Sequence, residues 1–273
     1  MRLKEKEERK VVIQKVSLEE LQKNLPLFKE LIRAYQEIFG DSDGWGEGAY
    51  CDKEGWSRLI SLSEYRHRLM EKRLLCDCGG KFLACYPSRA LKRRIIRELT
   101  PSDNEKPICI LMKEAGTNHV VGFFWGVITS LENIVERILL SSCQKREKGI
   151  MKIIDELKNS LNSLDDKQNI LFGDEIAILK EFRKGIEPLA GLARMFFEHG
   201  IEYDCHQLVF WSSKESSICK LAIRIGFQKI YESNNGTIFL FHKDFSSFLD
   251  LLRKAKSPAI AVIRTYKTKM LEK

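Results

Sequence analysis

The stretch that most constrains this chain is 174–227, where strand, basic glycine turn and helix follow one another and lead into a second strand and helix. Asp174, Glu175, Ile176, Ala177, Ile178 and Leu179 make a run of strand length, opened by two carboxylates. A turn bearing Arg183, Lys184 and Gly185 follows. Pro188 stands where a helix accepts proline, in the first turn, whose N–H groups have no intrahelical partner. Leu189, Leu192, Ala193, Phe196 and Phe197 share one helical face, and Gly200 is expected to end the helix as a left-handed residue. Residues 207–211 read as the next strand and 216–225 as the next helix, ahead of Gly226 and Phe227.

A helix N-terminus carries unbonded N–H groups and partial positive charge, so it receives phosphate oxygens. A glycine before it lets a ligand come close to the main chain. Arg183 and Lys184 add charge for a dianionic group. The unit is therefore a candidate pyrophosphate cradle.

On these residues the sequence resembles the GNAT superfamily of acetyl-coenzyme A-dependent N-acetyltransferases. The segment 175–186 looks like that family's fourth strand and its pyrophosphate loop, R-x-x-G-x-G/A. Residues 216–227 look like its later helix, closed by Gly226-Phe227. The resemblance implies an α/β fold: a twisted, mostly antiparallel mixed sheet flanked by helices, with an insertion after the first helix. It implies an acyl-coenzyme A-dependent N-acyltransferase, with acetyl-coenzyme A as co-substrate and a primary amine of a small molecule, peptide or protein as acceptor. Ile178, Leu179, Arg183, Lys184, Gly185, Ile186, Leu189 and Ala190 would then hold the coenzyme, with main-chain N–H groups near Leu179 on the thioester carbonyl. Asp174 and Glu175 are the candidate general bases. Adjacent strand residues face opposite ways, so one of them faces a substrate, and Glu175 is preferred.

Two positions depart from the family pattern. Glu187 and Pro188 stand where a second small residue is expected. A carboxylate about 5 Å from a phosphate charge costs up to about 3 kcal/mol at an effective dielectric of about 20. Ala222 stands where the family often carries a tyrosine that protonates the departing thiolate. Tyr203, Tyr231 or water would have to replace it. These departures keep a second reading open, a catalytically degenerate scaffold that binds a ligand.

The remaining chain fits around this unit. Residues 1–10 read as a charged tail, 11–245 as the principal domain and 246–273 as a C-terminal helical tail. Val11 to Val16 is a strand, Ser17-x-x-Glu20 a capping box, and Pro26 a break in the helix that follows. A cysteine-bearing insertion is expected at about 45–86. There Cys51, Cys76, Cys78 and Cys85 are candidate structural zinc ligands, with His67 as the alternative to Cys85. The competing reading is small buried thiols. Residues 87–99 read as a basic helix. Residues 108–112 and 119–128 read as strands joined by a turn at 115–118, with Phe123 and Trp125 as core or as pocket lining. A helical excursion is expected at 150–164 and a hairpin turn at Asn234-Asn235-Gly236.

With 273 residues and 44% hydrophobic content the chain can build a substantial core. No apolar run approaches the roughly 18 residues of a membrane span, and the charged N-terminus lacks the apolar region of a signal peptide. Eight cysteines without such a signal point to reduced thiols in a cytoplasmic setting. The net charge of +8 suits an anionic partner such as coenzyme A. No lysine-arginine block alternates with aromatics, so nucleic acid is disfavoured, and a zinc-containing nucleic-acid-binding protein is the remaining alternative.

Overall fold

The computed structural model describes residues 10–41, 46–143, 155, 159, 169–185, 187–212, 216–225, 227–232 and 237–241. The sequence pattern materialises first at β1 (Val11–Val16), which meets its expected limits. Ser17 and Glu20 then close a reciprocal capping box at the start of α1 (Leu18–Lys23). Pro26 does break the helix. It sits in the first turn of α2 (Leu25–Gly40), where Asn24 ends one helix and caps the next by accepting from the Leu27 N–H at 3.1 Å.

Next come β2 (Ala49–Cys51), β3 (Gly55–Ile60), α3 (Leu62–Met70) and β4 (Phe82–Ala84). These strands form their own three-stranded antiparallel sheet, in the order β3-β2-β4. α4 (Ser88–Leu99), β5 (Lys106–Glu114), β6 (Val120–Thr129) and α5 (Leu131–Cys143) follow. The chain then gives β7 (Ile170–Ile178), α6 (Glu187–Glu202), β8 (Gln207–Ser212), α7 (Ser217–Ile225), β9 (Gln228–Glu232) and β10 (Thr237–Phe241). Among the described residues the principal sheet has seven strands, in the order β1-β5-β6-β7-β8-β10-β9. It is mixed: β8 runs parallel to β7 and antiparallel to β10. This is the α/β fold, with helices flanking a mixed sheet, that the sequence predicts. The expected helix at 150–164, the turn at 234–236 and the tail at 246–273 lie outside the described residues, apart from Asp155 and Asn159, which are helical.

By packing, the chain divides into two units. The first comprises Met1–Arg97, Ile110–Phe123 and Ala177–Arg183; the second comprises Glu98–Cys109, Phe124–Ile176 and Lys184–Lys273. In the first, Phe28, Leu31 and Tyr35 of α2 are fully buried, and Tyr35 stacks on Phe123 with ring centroids 5.7 Å apart. Two cations of the basic helix α4 cover this aromatic surface, Lys92 over Phe28 and Arg94 over Tyr35, whose hydroxyl accepts from Arg94. In the second, Val127, Leu131, Ile134, Val135, Ile170, Phe172 and Val209 form the core. Phe123 and Trp125 are core residues, resolving the choice left open by the sequence.

One helix end differs from expectation. Gly200 is buried within α6, which continues to Glu202. The left-handed residue that ends the helix is Asp204, at φ 55°, and its neighbour Cys205 donates its N–H to Gly200 O. Aspartate tolerates this conformation better than most residues, so the stop signal moves to Asp204.

Candidate functional site

β7 and β8 set the geometry around the predicted active strand. Their parallel register runs from Ile170↔Gln207 to Gly173↔Phe210. Beyond that pair β7 runs on to Ile178, while β8 stays in register with β10 as far as Ser212↔Thr237. Space is tight at the point of parting: a Cβ on Gly173 would stand 3.3 Å from Phe210 Cβ and 3.4 Å from the Phe124 ring. Asp174 and Glu175 follow immediately, both half-buried. Asp174 lies in the charge field of Arg137. The alternation of a strand sends Glu175 to the other face.

That arginine anchors a network that the sequence reading missed. Arg137 donates to Glu105 from Nε at 3.0 Å and from Nη2 at 2.8 Å, and pairs with Glu98 at 2.5 Å. The bidentate Arg137 guanidinium holds Glu105 below the ordinary glutamate value of 4.5. The only clue in the sequence was an arginine among the apolar residues of α5.

At the expected cradle, the structure places the residues unequally. Ile178 and Leu179 are buried. The Leu179 N–H donates to Val121 O at 2.8 Å, so among the N–H groups near Leu179 this one is committed within the protein. The Arg183 N–H is likewise committed, to Lys180 O at 3.1 Å, because residues 180–182 form a 3-10 turn. Its side-chain Nε donates to Ile178 O at 2.6 Å. Lys184 and Gly185 are exposed, and Gly185 has φ +74°, a conformation that favours glycine. Ile186 lies outside the described residues. Glu187 and Pro188 open α6, followed by half-buried Leu189 and buried Ala190. The Glu187 carboxylate folds back over the turn, with Oε2 2.2 Å from where a Cβ on Gly185 would be. The helix start thus already has an acid of its own beside it, favourable to the helix dipole and unfavourable to a second anion.

Ala222 is buried with Cys219, against Phe210 and Phe227. Tyr231 packs, partly buried, on the core cluster of Val127 and Phe172, and Tyr203 is exposed against His199.

A second constellation lies in the small sheet. Cys51, Cys76, Cys78 and Glu54 bring one ligand atom each to within 4.8 Å of one another, and the Cys51 and Cys78 sulfurs are 3.3 Å apart. Burial raises the Cys51 thiol, but the amides of Glu54 and Lys53 and the neighbouring thiols more than offset it, leaving it below its ordinary value. At Cys78 the Gly80 amide acts downward, yet the Cys51 and Cys76 thiols and burial push it up to about 11. Cys85 and His67 are not in this group, a correction to the expected ligand set. Cys85 is half-buried, with its thiol pushed up to about 12 by burial and by the charge of Glu47. His67 pairs with Glu71 along α3 at 3.3 Å. Among the described residues, no helix is long and apolar enough to cross a membrane.

No family model matches the sequence, and no curated protein matches it. Solved structures similar to the chain include arylalkylamine N-acetyltransferase 2 from Aedes aegypti, at 9% identity and a TM-score of 0.49, covering 86% of this chain and 100% of that one. The polyamine N-acetyltransferase of Drosophila melanogaster is similar at 10% identity and TM-score 0.46, covering 85% and 100%. An N-acetyltransferase from Thermoplasma acidophilum, in complex with coenzyme A, is similar at 12% identity and TM-score 0.40, covering 85% and 99%.

Proposed function

We propose that the protein is an acyl-coenzyme A-dependent N-acyltransferase, moving an acetyl group to a primary amine in a cytoplasmic setting. The observation that carries this reading is the parting of β7 from β8 after Gly173↔Phe210, with both strands running on past it. A pantetheine arm is extended and bears amides, and strand main chain is the natural partner for such a chain. The reading is also supported by the exposed cations Arg183 and Lys184, which bring positive charge to the turn that precedes α6.

In the proposed reaction the neutral amine attacks the thioester carbonyl. A tetrahedral oxyanion forms, then collapses with cleavage of the C–S bond, and the remaining extra proton on nitrogen passes through water to the departing thiolate, giving the amide and the free coenzyme thiol. Glu175 takes the proton that the ammonium must lose, directly or through water. Asp174, beside Arg137, is the less suitable base, because a nearby cation favours its ionised form. With the Leu179 amide bonded to Val121, the oxyanion donor is a different group. Ala222 has no proton to give, so water protonates the thiolate in this scheme.

A second reading, a binding scaffold that has lost turnover, is favoured by the Glu187 carboxylate over Gly185. Calorimetry with acetyl-coenzyme A, paired with thiol release on a panel of amines, separates the two. Binding with turnover, lost in Glu175→Gln at unchanged affinity for acetyl-coenzyme A, supports the transferase. Binding without turnover on any amine supports the scaffold, and absence of binding overturns both.

A further inference from the structure

Cys51 ends β2 and enters the turn that carries Glu54 and returns at Gly55, at φ +61°. Cys76 and Cys78 lie on a second turn, closed by Cys76 N–H to Gly80 O at 2.7 Å and Gly79 N–H to Cys76 O at 2.8 Å. Gly79 takes φ +75°, which favours glycine. The two turns are locked face to face. Cys51 pairs with Phe82 across β2 and β4, Asp52 N–H donates to Lys81 O at 3.0 Å, and Lys81 N–H returns to the Asp52 carboxylate at 2.8 Å. Gly80 leaves room for the thiol, since a Cβ there would lie 2.6 Å from Cys51 Sγ. Three sulfurs from two glycine-bearing turns, with a carboxylate, therefore converge on one point.

We propose that Cys51, Cys76 and Cys78, with Glu54 as fourth ligand, bind a thiophilic divalent cation, zinc before others, and that this ion is structural. Tetrahedral thiolates about 2.3 Å from zinc lie about 3.8 Å apart, inside the spread of these ligand atoms. Magnesium and calcium, which prefer oxygen ligands, do not suit three sulfurs. Four protein ligands leave no open position for a reacting water, which makes the site structural. Its core is also thin: Ala49, Cys51, Ile60, Cys76 and Phe82, with Tyr65 against them. Two of those five buried residues are the ligands themselves, so an ion would replace much of the missing apolar packing. The site is independent of acyl transfer, and either proposal stands if the other fails.

The test uses the full chain, stripped of metal and kept reduced, titrated with cobalt(II) and then with zinc. The expected result is a thiolate-to-cobalt charge-transfer band saturating at one ion per chain and displaced by zinc. Cys78→Ser, at an exposed position, loses the band. Cys85→Ser keeps it in full, and Glu54→Gln keeps it with weakened affinity. Native mass spectrometry of the unmodified chain supplies the readout that needs no variant: a mass increase of one zinc, removed by chelator. A chain that takes up no cobalt or zinc while its thiols are reduced overturns the site, as does a band that survives Cys78→Ser. Loss of the band in Cys85→Ser, or unchanged affinity in Glu54→Gln, overturns the proposed ligand set.

Discussion

Glu187 is the residue on which the coenzyme reading turns. Its carboxylate lies over Gly185 at the start of α6, where it satisfies the helix dipole and competes with any phosphate brought to the same end. Glu187→Gln should therefore act in opposite directions on two measurements. Thermal stability falls slightly, by about 0.3–1 kcal/mol for a lost charge–dipole contact. Affinity for acetyl-coenzyme A in calorimetry rises, by roughly tenfold for each 1.4 kcal/mol of repulsion removed. Reduced affinity would mean that the carboxylate organises the turn for its ligand. Gly126 sets a different constraint. A Cβ there would stand 2.1 Å from the Phe172 carbonyl and 2.7 Å from the Phe196 ring, and the carbonyl belongs to a strand that cannot step aside. Gly126→Ala is expected to cost about 3 kcal/mol or more, measured by denaturant unfolding.

At the scale of elements, α6 shows how a stop signal is read from sequence and how it misleads. Gly200 has the conformational freedom for a helix end, but it is buried, and the helix passes through it to Glu202. Asp204 takes the left-handed position instead, at φ 55°. Asp204→Gly removes the Cβ from that conformation and should raise stability by up to about 1 kcal/mol in thermal or denaturant melts. A loss would show that the Asp204 contact with His206, 3.4 Å apart and exposed, matters more than the backbone. Elements with local signals were legible: β1, the Ser17 capping box, the break at Pro26 and the proline-started α6 rest on residues a few positions apart. The thiol cluster was legible in part, because cysteines can be counted, while Glu54 looks like any turn acid and Cys85 lies one strand beyond the turn that carries Cys76 and Cys78. The parting of β7 and β8 and the Arg137 network depend on partners far away in sequence, and no local pattern encodes them.

For the molecule as a whole, charge governs acid behaviour through two routes that can be separated. The chain carries 46 lysines and arginines against 38 aspartates and glutamates, so protonating carboxylates adds to an existing positive excess. That repulsion is spread over the surface and screened by salt. The Glu98–Arg137–Glu105 network is different. Its side chains are 12%, 17% and 19% exposed, so salt reaches them poorly. Glu105 is held below its unfolded value of 4.5 by Arg137. A depressed carboxylate contributes stability that is complete above the unfolded value and is lost as pH falls through the folded one. Stability of the unmodified chain should therefore fall with a steeper slope below about pH 4.5, and added salt should recover part of the loss and leave the remainder. Arg137→Met removes the cation that joins half-buried Glu98 and Glu105. Near neutral pH it should cost about 3–5 kcal/mol, as expected when one partner of a buried pair is removed. Its deficit should then shrink as pH falls, because protonating Glu105 relieves the variant of the charge that Arg137 compensates. Urea melts of both proteins across pH 3.5–7.5, at low and high salt, check this. A deficit that stays constant with pH would mean that Arg137 stabilises by packing alone, and that the charge network is not what makes the fold sensitive to acid.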